Sequence, residues 1–177
     1  MTWTSSPSAV KEIRDALIVH SPAGALRLVL QQLTLRDQGA VVGRHEVIDV
    51  IVDVEGNLVV VPLAEAVRAD PAASSVLDAA LARLRAEISA ELGSAPDSLE
   101  VVIDADRTRR VHVVPSVQVT PADATGPPPH PELRDGRHHI VHYAPVLDEL
   151  RDRLSPPPPG LLARLRGMLG GIVRRRR

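Results

Sequence analysis

Apolar residues at 9, 10, 13, 16 and 17, behind Ser6-Pro7, have helical spacing and predict a helix running to about Val19. Residues 24–36 carry two periods at once. Arg27, Gln31, Thr34 and Gln38 form one helical stripe that Ser21-Pro22 would open, yet Leu26, Leu28 and Leu30 also alternate with Arg27, Val29 and Gln31. Helix and strand both stay open here, and strand is preferred because the next segment needs a partner. That segment, Glu46 to Leu63, is rich in β-branched residues and holds Gly56-Asn57 where a two-residue turn would close a hairpin. The implied pairs are Val54 with Val59, Val52 with Val61 and Val50 with Leu63, leaving Asp49, Asp53 and Glu55 on the opposite face. Asp70-Pro71 opens the strongest helical pattern, through Val76, Leu77, Ala80, Leu81, Leu84 and Ile88 to Gly93. Leu99, Val101 and Ile103 then alternate with Glu100, Val102 and Asp104, and after a turn at Asp106-Arg107-Thr108 a strand returns through Val111, Val113 and Val117.

This order predicts an α+β fold: an antiparallel sheet of four to five strands packed against helices on one side, followed by a Pro-rich linker and a basic C-terminal tail. Of the 16 prolines, 11 fall between Pro115 and Pro159, which sets the expected division of the chain. Residues 1–117 form the core domain, 118–137 the linker, 138–155 a C-terminal helix region, and 156–177 a Pro run with the tail.

Composition alters this picture in three ways. Phe and Cys are absent, with one Trp and one Tyr, so the core is aliphatic, and disulfides, thiol chemistry and aromatic base-stacking platforms are excluded. Basic residues are Arg apart from Lys11, a bias expected of a GC-rich bacterial genome such as an actinobacterium's. Net charge is −1, but it conceals an acidic body and a basic end: every acidic residue lies at or before Asp152, while residues 157–177 contain six Arg and no acid. The N-terminus has no basic stretch followed by an apolar run, and no apolar stretch approaches the length of about 20 residues that a membrane span needs. A cytoplasmic location is expected.

Chemistry-bearing motifs are scarce. GxSxG, GxxxxGK[ST], GxGxxG and HExxH are all missing, and no enzyme activity or cofactor is expected. His138 and His142 stand four apart beside His139, with zinc-helix spacing and ligand type, but the pattern lacks its glutamate and no metal site is assigned. Asp49, Asp53, Glu55, Asp104 and Asp106 form the candidate partner-binding set, an acidic sheet face for a basic protein such as a toxin or secreted substrate. Leu161, Leu165, Met168, Leu169 and Ile172 recur at helical spacing in the tail. Its Arg164, Arg166, Arg174, Arg175, Arg176 and Arg177 are therefore the candidates for contact with an anionic membrane or nucleic acid. Residues 58–63 would make an edge strand blunted by Pro62, which leaves room for a homodimer by sheet extension.

The layout through residues 7–117, with Asp97-Ser98-Leu99-Glu100-Val101-Val102-Ile103-Asp104 after a Pro-containing loop, resembles small bacterial immunity proteins of the YezG type. It is similar also to type III secretion chaperones. Both groups work by binding another protein, so the resemblance implies a non-enzymatic binding module.

Overall fold

The computed structural model describes residues 2–3 and 7–154. Its six-stranded antiparallel sheet has the order β1-β6-β5-β2-β3-β4. The strands are β1 (Thr2–Trp3), β2 (Ala25–Asp37), β3 (Ala40–Val54), β4 (Asn57–Pro62), β5 (Ser98–Asp104) and β6 (Arg109–Val114). β1 is a two-residue bridge on β6, so the other five strands make up the body of the sheet. The helices are α1 (Pro7–Ile18), α2 (Ala64–Ala69), α3 (Pro71–Leu92), α4 (Pro121–Thr125) and α5 (Gly136–Leu154). The α+β class and the antiparallel sheet are as expected.

One sheet face is aliphatic except at one end, where Gln32 meets Glu46 and Arg85. Leu28, Leu30, Ile48, Val50, Leu99, Val101, Ile103, Val111 and Val113 pack against Val10, Ile13 and Leu17 of α1 and Leu77, Leu81, Leu84 and Ile88 of α3. α3 is bounded as its sequence signals require: Asp70 accepts hydrogen bonds from the Ala72 and Ala73 amides, and Gly93 closes the other end.

Residues 24–36 resolve as strand, and β2 sits at the centre of the sheet between β5 and β3. The β3–β4 register departs from the expected pairs. Val54 pairs with Asn57, Val52 with Val59 and Val50 with Val61. The turn is Glu55-Gly56, whose φ of 52° and 87° give the two left-handed residues that a primed turn needs. The register therefore moves by two residues, which preserves every face because side chains alternate with period two.

Helices do not cover one side only, because α5 lies on the second face. There Leu147, with Ile140 beside it, packs on Val29 and Ile51. α5 kinks at Tyr143 (φ −125°, ψ 20°), two residues before Pro145, whose ring and missing N–H break the preceding turn. The stretch expected as a linker runs along the sheet. Val119 accepts a hydrogen bond from the Arg36 amide at 2.8 Å, Thr120 and Asp123 cap α4 reciprocally, and the Gln31 side chain bonds both the Glu132 carbonyl and the Arg134 amide.

Candidate functional site

Two sequence-flagged groups, the acidic sheet face and the histidines, meet beneath α5. Odd-numbered residues of β2 and even-numbered residues of β5 point to this face, which puts Arg27, Gln31, Glu100 and Asp104 in one layer. Arg27 is 1% exposed. Its guanidinium meets Asp104 through Nε–Oδ1 at 2.6 Å and Nη2–Oδ2 at 3.2 Å, while Arg110 reaches the same carboxylate at 2.8 Å. Arg27 Nη1 lies 3.3 Å from His139 Nδ1, and His139 Nε2 lies 2.8 Å from Glu100 Oε1. An arginine can only donate, so Nδ1 accepts and the ring proton sits on Nε2, donated to Glu100. The Tyr143 ring stacks on His139 with centroids 5.1 Å apart.

Burial works against the charge of Glu100, but the His139 hydrogen bond and the positive charge of Arg134 outweigh it and hold its carboxyl below the usual range. Arg134 approaches Glu100 at 3.5 Å and Glu132 at 3.7 Å. Three guanidiniums, Arg27, Arg110 and Arg134, thus face three carboxylates, Glu100, Asp104 and Glu132. The network balances its own charge around a cavity of about 110 Å³ and fixes α5 to the sheet.

Asp49 and Asp104 are therefore covered, and they do not form an open acidic surface. Asp49 Oδ2 accepts from the Gly136 amide at 2.8 Å, at the start of α5. Burial pushes its carboxyl up, against the lowering effect of that hydrogen bond, and nearby Asp135 adds to the rise. A raised folded value means the folded state holds the proton more tightly than the unfolded chain, so stability falls as pH rises through that value. Asp49→Asn is accordingly expected to stabilise the protein at pH 7, with the gain shrinking as pH drops below the folded value. Guanidinium titrations at pH 7 and pH 3 check this, and a variant less stable at pH 7 would show that the bond from Gly136 needs the charge.

Asp53, Glu55 and Asp106 are brought together differently, at one end of the sheet on the β3–β4 and β5–β6 turns. Asp53 caps its turn by accepting from the Gly56 amide, Glu55 is exposed, and Asp106 meets Arg153 at 3.0 Å. The histidines divide. His138 and His142 share a face of α5 with ring centroids 4.3 Å apart, as their spacing predicts, whereas His139 turns into the sheet. Among the described residues no group of three or more His, Asp or Glu is placed to hold a metal ion. Arg164, Arg166 and Arg174 to Arg177 lie outside the described residues.

A stretch of unpaired strand edge on β3 is not flagged by the sequence. β3 pairs with β4 only from Asp49 to Val54, and Ile48 accepts from the Leu63 amide just beyond. From Ala40 to Val47 the side of β3 away from β2 meets no strand among the described residues. Val41 is 60% and Val42 53% exposed on this stretch. Gln38 (φ 49°) and Gly39 (φ 85°) make the β2–β3 hairpin turn, so the flanking Asp37–Ala40 pair is the hydrogen-bonded one. Val41, next along, then turns its N–H to the free edge, and a bulge at Val41-Val42 opposite Arg36 follows before Gly43 pairs with Leu35. By the same alternation Pro62 occupies an outward position on β4, where its missing N–H blunts that edge. Arg44 lies on the open part of β3 and lines one pocket with Arg36 of β2 and Arg85 of α3, whose own contacts are on the β2 and β5 side. In the sequence, the run Ala40-Val41-Val42-Gly43-Arg44 is too short and too interrupted to give a strand period.

No family model matches the chain, and no curated protein matches it. Fold and site together define an α+β protein whose sheet has helices on both faces and in which, among the described residues, the outer side of β3 from Ala40 to Val47 is unpaired. No helix among the described residues is long and apolar enough to cross a membrane.

Proposed function

We propose that the chain is a non-enzymatic, cytoplasmic protein-binding module that takes an extended, acidic segment of its partner along the free edge of β3. The observation that carries this reading is the unpaired edge from Ala40 to Val47, which bears Arg44, with Arg36 and Arg85 in the adjoining pocket. Main-chain hydrogen bonds to an added strand would supply affinity, Val41 and Val42 apolar contact, and the arginines a preference for Asp and Glu. The mode is that of the immunity proteins and secretion chaperones which the layout resembles: holding another protein rather than transforming it. Since Asp49 and Asp104 are consumed inside the fold, the charge beside the open edge is positive, and the partner segment is acidic rather than basic.

Peptide display tests this. A random 12-residue library selected on the full chain should enrich sequences that alternate apolar residues with Asp or Glu. Their affinity should fall about 10-fold on Val41→Pro, the equivalent of one lost backbone hydrogen bond, and as far on Arg44→Glu. Enriched peptides that bind both variants as well as the parent would reject the β3 edge. Basic peptides sensitive only to Glu55→Lys would move the contact to the acidic turns.

A further inference from the structure

A cavity of about 480 Å³ opens between the β2–β3 hairpin and the loop that follows α3, lined by Arg36, Arg44, Arg85, Asp97, Val41 and Gly43 among others. Its charges do not balance. Arg36 Nη2 meets Asp97 at 2.9 Å, and the other Asp97 oxygen accepts from the Val117 amide at 3.1 Å. Arg85 spends Nε on the Gln32 side-chain oxygen at 3.0 Å and Nη1 on the Pro96 carbonyl at 3.2 Å, neither of which carries a charge. Among the described residues no carboxylate lies within ion-pair distance of Arg85 or Arg44. One carboxylate therefore serves three guanidiniums, which leaves two positive charges.

The donors are unsatisfied as well. Arg85 Nη2 and Arg36 Nε are shielded from water and have no hydrogen-bond partner, while Arg36 Nη1 donates to the Gly39 carbonyl at 3.1 Å. Burial, reinforced by the like charge of Arg44 and only partly offset by Asp97, brings the Arg85 guanidinium down to about 10, so it remains charged at neutral pH. A half-buried, unpaired cation with an orphaned donor is costly to keep. The contrast with the other face is direct, because there three arginines meet three carboxylates.

We propose that this cavity binds the phosphoryl group of a phosphate monoester, with Arg36, Arg44 and Arg85 as its donors. A monoester carries close to two negative charges at neutral pH and three acceptor oxygens, which matches the surplus, whereas a carboxylate would cancel only one charge. The planar guanidinium fork suits such oxygens by paired donation. The phosphoryl group has two sources, a free small ligand or a phosphorylated side chain on the partner segment that passes Val41 and Gly43. The site stands on its own charge and donor count and does not depend on the strand-edge reading.

The test follows the arginine Nε–Hε resonances of the ¹⁵N-labelled full chain at pH 7.5 and constant ionic strength. Inorganic phosphate should shift the Arg36 and Arg85 signals to saturation, with acetate binding at least about 10-fold more weakly. Arg85→Gln and Arg44→Gln should each weaken phosphate about 10-fold. Arg44 is exposed and makes no contact that the fold needs, so its variant carries the test if Arg85→Gln does not fold. Free phosphoserine and a phosphoserine within an acidic 12-residue peptide then separate the sources. Tighter binding by the peptide, lost on Val41→Pro, assigns the group to a partner segment, and equal binding assigns it to a small ligand. Signals that do not saturate, that respond equally to acetate, or that are unchanged by Arg44→Gln would overturn the proposal. A phosphate probe needs no added strand, so its failure leaves the β3 edge to be judged by peptide display alone.

Discussion

Arg27→Met is expected to cost about 3–5 kcal/mol of folding stability, seen as a lower denaturant midpoint at unchanged m. Arg27 sits on the central strand, fully enclosed, with two hydrogen bonds to Asp104 and a third to His139. Methionine roughly fills the space but leaves Asp104 buried with Arg110 alone, and takes the donor away from His139 Nδ1. The cost is the stranded charge more than the lost pair. Arg27→Met with Asp104→Leu should therefore lose less than Arg27→Met alone, because the Asp104 carboxylate is no longer stranded, while Glu100 keeps His139 and Arg134. Arg110, whose side chain is 42% exposed, can turn to water in the double variant. If the single variant costs less than about 1 kcal/mol, the pair has the weight of a surface ion pair and the network does not hold α5 in place.

The same pair shows where sequence reasoning reaches and where it stops. α3 was legible at both ends, because Asp70-Pro71 and Gly93 act on residues within one turn of themselves. The β3–β4 hairpin was legible in its faces but not its register. Glu-Gly-Asn offers two ways to place a two-residue turn, and both leave the valines on the same side. Polar residues alternating with apolar ones on β2 and β5 have the pattern of a solvated face. What buries them arrives from a distance: His139 lies 112 residues after Arg27, and Gly136 lies 87 after Asp49. No local period announces a helix that returns across a Pro-rich segment to cover a sheet.

The candidate sites divide along the same line. The i, i+4 spacing correctly placed His138 beside His142, yet it could not show that His139 faces Glu100, since that depends on where α5 crosses the sheet. Asp49 and Asp104 carry the same residue type as Asp53 and Asp106, and only the covering helix distinguishes them. The Arg36, Arg44 and Arg85 cluster was hidden for a related reason. Arg85 is on α3 and the other two are on strands that meet at a hairpin, so the cluster exists only after β2 and β3 pair. An arginine excess traceable to base composition also masks individual arginines that have no partner.

A second large effect is expected where α5 begins. Gly136 is buried, and a Cβ there would come within 2.6 Å of Val60 Cγ1, 3.0 Å of Val60 Cγ2 and 3.1 Å of Asp49 Oδ2. Alanine is the better helix former, by about 1 kcal/mol in a helix interior and by less at the first position that Gly136 occupies, so helix propensity alone would favour Gly136→Ala. The overlap should win. Valine is stiff at χ1, and rotating it exchanges one methyl for the other, so relief requires moving β4 or the start of α5. Overpacking of this kind costs about 1–3 kcal/mol, and Gly136→Ala should lower the thermal midpoint. In a Val60→Ala background the two closest contacts are gone and only the terminal oxygen of Asp49 at 3.1 Å remains, so the same substitution should become neutral or stabilising. That reversal of sign separates close approach from any general fragility at the α5 terminus. A loss of equal size in both backgrounds would mean that Val60 is not what demands glycine at 136.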